Sequence, residues 1–264
     1  MRRTVTARLA LTAAGPADLV LCLSVARGAH RIDEQLVVEA NGAAVTVAPV
    51  EARHGTHVPR VSVVSGRIDI RYYATVEGRD EAPPVVASDL LEYLRPSRYA
   101  EADKLTAFAA DQFGMLEGIA LLNAVVEWVG SRVAYVPGSS GPTDGAVDTL
   151  LTRRGVCRDF AHLVIGILRA RAVPARLVAV YAPGLSPMDF HAVVEACIGN
   201  AWHVVDATRL APRETLLRIA TGRDAADTAF LSSYGAEVTL DQIEVTATSD
   251  GDLPWDDGSP HVLG

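Results

Sequence analysis

Lysine is almost missing from this chain: of 24 basic residues only Lys104 is a lysine, the rest being arginines. A high-GC coding sequence accounts for that without function; an enzyme acting on lysine amines would also avoid presenting its own, but composition is a weak warrant for it and the coding explanation is preferred. Cysteine is scarce as well. The thiols at 22, 157 and 197 form no CxxC pair and no metal-ligand spacing, which argues against a disulfide scaffold and a structural zinc site. Thiols scattered singly fit a reducing cytosol, so a cytoplasmic location is expected. Positive charge is not in excess either: the net charge is −8 and there is no basic stripe, so nucleic acid is not an expected partner. No apolar run approaches the roughly eighteen residues of a membrane span, and no membrane partner is expected.

The start, "MRR" followed by "TVTARLALTAAGPADLVLCLSVA", has the outline of a signal peptide. However, Arg8 and Asp18 interrupt the apolar stretch, and Val5, Ala7, Leu9 and Leu11 alternate with more polar neighbours. That is strand periodicity, and a mature cytosolic N-terminus is the expectation.

What remains is ordinary globular composition: 264 residues, 49% hydrophobic and 21% charged, enough for one large domain or two modest ones. Residues 1–80 read as an all-β, sandwich-like domain, with strands over 3–12, 18–26, 34–40, 43–49, 59–64 and 67–76. Asn41-Gly42 and Ser65-Gly66 supply tight turns. The charged, Pro-paired segment 77–86 is the natural linker, and a second domain is expected over 87–264. There the period changes to three and four. A short helix stops at Pro96, a second covers 103–112, and 115–132 is strongly amphipathic. Pro174 breaks the helix that follows Cys157. Residues 175–182 read as a buried strand, Gly199-Asn200 joins two more, a helix is expected near 212–221, and "AEVTLDQIEVTAT" looks β-like. The tail from Ser249 is expected to be loose. The fold class is therefore α+β.

Chemistry concentrates around "GVCRDFAHLVIGILRARAVPARLV" (155–178). Cys157 opens a helix that is apolar on nearly all sides, where unpaired amides and the helix dipole favour negative charge. Gly155, without a Cβ, would let a substrate backbone approach the sulfur. Taken alone, the segment equally allows a buried packing thiol. The hairpin adds partners. With Gly199 and Asn200 as a two-residue turn, Ile198 faces Ala201 and Val193 faces Asp206. His191 and Asp206 then become diagonal neighbours on one face, within reach of each other. An imidazole backed by a carboxylate has a fixed tautomer and a stabilised cation. His203 falls on the opposite face. Cys22 reads as a core residue, and Cys197 lies about 20 Å up the strand from His191.

"GVCRDFAHL…RAVPARLVAVY…DFHAVVEACIGNAWHVVDATR" strongly resembles the transglutaminase-like core of bacterial cysteine enzymes. Its three blocks occur in order: Gly-x-Cys opening a helix, a Phe-His-Ala strand, and a Val-Asp-Ala-Thr strand. The resemblance implies a papain-like thiol fold over 87–264, preceded by the all-β domain. It also implies Cys157 as nucleophile, His191 as base and acid, and Asp206 as orienter. Arg158-Asp159 follows the cysteine as in bacterial members, where animal cross-linking enzymes have a Trp. No calcium loop is evident, so calcium dependence is not carried over and no cofactor or metal is expected.

The implied reaction is acyl transfer through a thioester, with a peptide or protein as substrate. The oxyanion would rest on the Cys157 amide and a second donor, for which Tyr135 is the candidate. Hydrolysis is favoured over amine cross-linking, since nothing marks a water-excluding amine tunnel. A protein-glutamine acyltransferase and a catalytically silent binding module on the same fold are the alternatives. A metal enzyme is disfavoured for want of ligand spacing. Neither the first domain's role nor the oligomeric state follows from the residues.

Overall fold

The computed structural model describes residues 1–28 and 30–264. Six strands come first: β1 (Arg2–Ala13), β2 (Ala17–Leu21), β3 (Arg31–Ala40), β4 (Ala43–Ala44), β5 (Arg60–Val63) and β6 (Gly66–Glu77). Alternation puts Val5, Ala7, Leu9 and Leu11 of β1 inside, level with Ala74, Tyr72, Ile70 and Ile68 of β6, which are their cross-strand partners. The strand expected over 43–49 shortens to β4. Beyond it Ala48 bridges to Arg60 of β5, so the chain crosses here from one sheet to the other, ahead of Pro49.

The middle of the chain supplies helices α1 (Ala87–Glu92), α2 (Ala102–Phe113) and α3 (Gly118–Arg132). The two-residue strand β7 (Ala134–Tyr135), helix α4 (Ala146–Thr152) and the two-residue strand β8 (Arg154–Gly155) lead into α5 (Cys157–Ala170). Every residue of α5 from Asp159 to Arg169 is buried. A helix apolar on so many sides needs neighbours all round, and it has them: α2, α3 and α4 pack against it, as do strands β9 (Ala175–Tyr181) and β10 (Phe190–Ile198). Each fully buried Leu, Ile or Val contributes about 1.5–3 kcal/mol. Arg169 fastens the helix end by donating to the carbonyls of Ala175 (2.9 Å), Arg95 (3.0 Å) and Arg223 (2.7 Å).

β11 (Ala201–Val205) completes the hairpin with β10, and Ile198 faces Ala201 as the Gly199-Asn200 turn requires. The segment 212–221 is not the expected helix. A short 3-10 turn at Arg213–Thr215 leads into β12 (Leu217–Gly222), the edge partner of β9 in the sheet β11-β10-β9-β12. The Leu-Leu-Arg-Ile spacing suits a helix face, but Leu217, Ile219 and Ala220 are all buried by tertiary packing, with a register shift between Arg218 and Ala220 absorbing the mismatch.

Helix α6 (Ala225–Thr228) is followed by β13 (Leu231–Gly235) and β14 (Val238–Ser249), and these correct the expected division of the chain. β14 pairs with β1 along its length, from Arg3 opposite Ser249 to Ala13 opposite Val238, and β13 pairs with β2. The sheets β14-β1-β6-β3-β4 and β13-β2-β5 enclose one core. The sandwich is thus made by both ends of the chain, not by residues 1–80 alone, and the second unit does not run unbroken to 264. Without β14, the free edge of the long strand β1 would lie open to foreign strands.

The two units also share apolar packing: Tyr181, Leu217 and Ile219 join the sandwich core, and the Tyr181 hydroxyl donates to Leu23 O at 2.8 Å. The tail has no regular structure, yet it is tied down. Arg213 donates to both Asp256 carboxylate oxygens (2.8 and 2.6 Å), the Val204 amide donates to His261 O (2.8 Å), and Leu263 is buried. Among the described residues no single helix is long and apolar enough to cross a membrane.

Candidate active site

Cys157 is the first residue of α5 and is partly exposed. Val156 before it is a poor helix cap, having no side-chain acceptor. Asp159 supplies the cap from inside the first turn: its carboxylate accepts from the Val156 amide (2.7 Å) and from Ser140 Oγ (2.8 Å). Arg158 reaches the same loop, donating to Ser140 Oγ (2.7 Å) and Gly141 O (2.8 Å). Together they pin loop 139–141 to the helix mouth. Neither the loop contact nor the role of Asp159 was foreseen, although an acid at the third helical position was the available signal. Gly155 also acquires a different reason. A Cβ there would meet Asp159 Cβ at 2.6 Å and Oδ2 at 2.8 Å, so its bareness makes room for the backward-reaching cap rather than for a substrate.

His191 and Asp206 lie where the hairpin register puts them. His191 Nε2 and Asp206 Oδ2 are 2.7 Å apart, both residues buried. Asp206 Oδ1 accepts from the Thr208 amide (2.9 Å) and hydroxyl (2.7 Å), which locks the carboxylate's orientation. Burial opposes an imidazolium, but the Asp206 charge and hydrogen bond, followed by Cys157, outweigh it and raise the His191 pKa. Burial likewise works against the Asp206 carboxylate, and His191 and Thr208 hold its pKa low despite that. The Cys157 thiol therefore lies near enough to act on the imidazole. His191 Nδ1 itself is buried and has no hydrogen-bond partner. Cys157 and His191 line one cavity of about 470 Å³.

Tyr135 stands opposite Gly155 in the parallel pair β7–β8, its ring 6.0 Å from that of Phe160. Burial first, then the Cys157 thiol, push its phenol up to about 12, while the Cys157 backbone amide pulls the other way as a donor to its oxygen. The hydroxyl is thus protonated at neutral pH and borders the Cys157 amide. His203 lies away from these groups, its Nε2 at 3.1 Å from Ile198 O. Cys22 is buried, its thiol pushed up to about 12 by that burial, and Cys197 sits across from Trp202 near the hairpin turn. Among the described residues no group of three or more His, Cys, Asp or Glu side chains gathers as metal ligands would.

One further histidine shapes the cleft. His162, on α5, stacks on Tyr99 (5.4 Å, 15°) and accepts from the Ala225 amide at 3.1 Å. Its pKa falls to about 3 through burial, so it is a neutral acceptor that fixes the start of α6 beside the cavity.

Comparison with known proteins agrees with this architecture. The transglutaminase-like superfamily profile matches residues 103–207. The crystal structure of a proposed cysteine protease from Cytophaga hutchinsonii superposes with a TM-score of 0.88 at 32% identity, covering 98% of this chain and 95% of that one. The periplasmic domain of TgpA from Pseudomonas aeruginosa is 21% identical with a TM-score of 0.43, covering 80% and 91%. An uncharacterized protein of Mycobacterium leprae is 29% identical over 150 residues, 52% of this chain. The chain spans about half the length of that curated relative, 53%. Helix-borne cysteine, antiparallel sheet and added β-sandwich define a papain-like α+β protein, and the family profile and the Cytophaga structure support a cysteine-dependent enzyme. The chain belongs to the transglutaminase-like superfamily.

Proposed function

We propose that the protein cleaves an amide through a thioester on Cys157, with water as the usual second nucleophile. The observation that carries this reading is the His191–Asp206 contact at 2.7 Å, in a histidine that lines one cavity together with Cys157. In the first step Cys157 Sγ attacks the amide carbonyl carbon, and the C–N bond breaks as His191 gives its proton to the departing amine. In the second, His191 takes a proton from water, hydroxide adds to the thioester carbon, and the acid leaves as the thiolate reforms. Asp206 keeps its charge throughout and holds the imidazole. The Cys157 amide and the Tyr135 hydroxyl receive the oxyanion in both steps. The Cytophaga relative's description as a proposed cysteine protease points the same way. A peptide, an isopeptide or a glutamine side chain would each present the bond required.

The test is to incubate a glutamine-containing peptide library with the protein, with and without a primary amine, beside Cys157→Ala. Hydrolysis products from the unaltered protein, none from Cys157→Ala and no incorporation of the amine are expected. Incorporation would make the protein a transferase instead. Equal activity in Cys157→Ala would end the thioester reading.

A further inference from the structure

The cavity at Cys157 is not walled by the catalytic unit alone. Its floor is the sheet, where Ala192 faces Ala179 as a cross-strand partner and Leu177, Ile219 and Phe190 lie around them. Its far wall comes from the segment that leaves α6 and enters β13 of the sandwich, and Phe230 of this segment stacks on Phe190 (5.2 Å, 21°). Cys22 and Ser232 add surface from the sandwich itself. The Cys22 thiol is buried and protonated, so it behaves as a small apolar group. Ala225, Ala226 and Ala229 complete the wall, and their short side chains add little bulk beside the stacked phenylalanines.

Charge is sparse in this lining. Among the described residues of this lining, Arg158 is the one cation and Asp189 the one formal anion, His191 apart. A cavity of about 470 Å³ floored by aliphatic groups and flanked by aromatic ones takes an apolar guest. The group that stays bonded to sulfur between the two chemical steps is the acyl portion, and the amine must leave. A pocket that has Cys157 in its lining is therefore assigned to the acyl portion.

We propose that the sandwich and the sheet together form a subsite for a bulky apolar side chain, aromatic or branched aliphatic, on the acyl side of the attacked bond. This rests on the reading of Cys157 as the attacking group. It gives the sandwich a part in substrate choice: Phe230 and the residues beside it are held by β13, whose Leu231 pairs with Leu21 of β2. The pocket discriminates by how much apolar surface it removes from water, so small or charged side chains are poorly held.

The experiment compares inactivation by peptidyl chloromethyl ketones ending in Phe, Ala or Asp, each divided by the iodoacetamide rate on the same preparation. The Phe reagent should be about tenfold to hundredfold faster than the Ala reagent, as burial of one large apolar side chain predicts. In Ala229→Leu, which fills the pocket from an exposed position of its wall, the Phe-to-Ala ratio should fall toward one. Equal Phe and Ala rates, or an Asp reagent that outpaces both, would overturn the subsite and leave the catalytic reading standing. If iodoacetamide itself were slow, the catalytic reading would fail and binding alone would judge the pocket. Calorimetric titration of Cys157→Ala with acetylated tripeptides ending in Phe or Ala should still favour Phe, and no preference would overturn it.

Discussion

The polar groups nearest the Cys157 chemistry, Tyr135, His191 and Asp206, all come from residues 135–206, whereas the sandwich joins Arg3 to Ser249, nearly opposite ends of the chain. The first region is assembled from near neighbours: a two-residue β7–β8 pair bridged by α4, a helix start, and a hairpin closed by a two-residue turn. The second depends on a last strand that can add only after everything between has been made. The difference separates two kinds of information. Local assembly leaves its trace in spacing and turn residues. Long-range pairing leaves little, because β14 alternates in sequence like any half-buried strand and does not name its partner. The proposed function follows the same division, with the bond chemistry assigned to the local region and part of the cavity wall coming from the distant one.

The comparison breaks most visibly if the local region is not a working unit. Replacing Asp206 by Asn should lower kcat by about 10³–10⁴-fold with little change in secondary structure. Its pH dependence carries a sign. Asp206 raises the His191 pKa and burial lowers it, so without the carboxylate the alkaline limb of the rate profile should move to lower pH. The same pair sets a stability window. Its contribution is lost as pH falls through the lowered Asp206 pKa and again as pH rises through the raised His191 pKa. An alkaline limb that stays in place in Asp206→Asn would show that the carboxylate does not act on the imidazole.

The distant region is tested by Ala247→Asp. Ala247 is 2% exposed and pairs with Val5 in the β14–β1 ladder. An unpaired carboxylate there should cost about 3–5 kcal/mol in denaturant unfolding. A much smaller loss would mean that β14 does not close the sandwich. The smallest effect belongs to the helix mouth. Asp159→Ala removes the cap of α5 and the anchor of Ser140, and should cost about 1–2 kcal/mol. Cys157 alkylation should also slow as loop 139–141 comes loose. No change in either measurement would remove Asp159 from the account.

Much of the molecule is legible in its sequence. Period-two alternation marked β1 and β6, and Pro174 marked the end of the cysteine helix. The Gly199-Asn200 turn fixed which hairpin residues share a face, and so brought His191 toward Asp206. The misses have physical causes. Residues 217–222 carry helix-like spacing that sheet burial overrides. The tail looked loose because its anchors, Arg213 to Asp256 and Val204 to His261, are single long-range hydrogen-bonding groups rather than a pattern. Gly155 suggested access to the sulfur, whereas the demand on it comes from Asp159 four residues on. The apolar wall at the active site was invisible for a similar reason, since Phe230, Cys22 and Ala192 are far apart in sequence and meet only after folding.

One measurement reaches the central claim directly, with controls inside the same molecule. Iodoacetamide modification of the three thiols, followed by mass spectrometry at neutral pH, compares Cys157 with Cys22 and Cys197, whose pKa values burial raises. The account predicts that Cys157 reacts at least about a hundredfold faster than either, and that His191→Ala removes most of that advantage. A Cys157 no faster than its two companions, or one indifferent to the loss of His191, would contradict it.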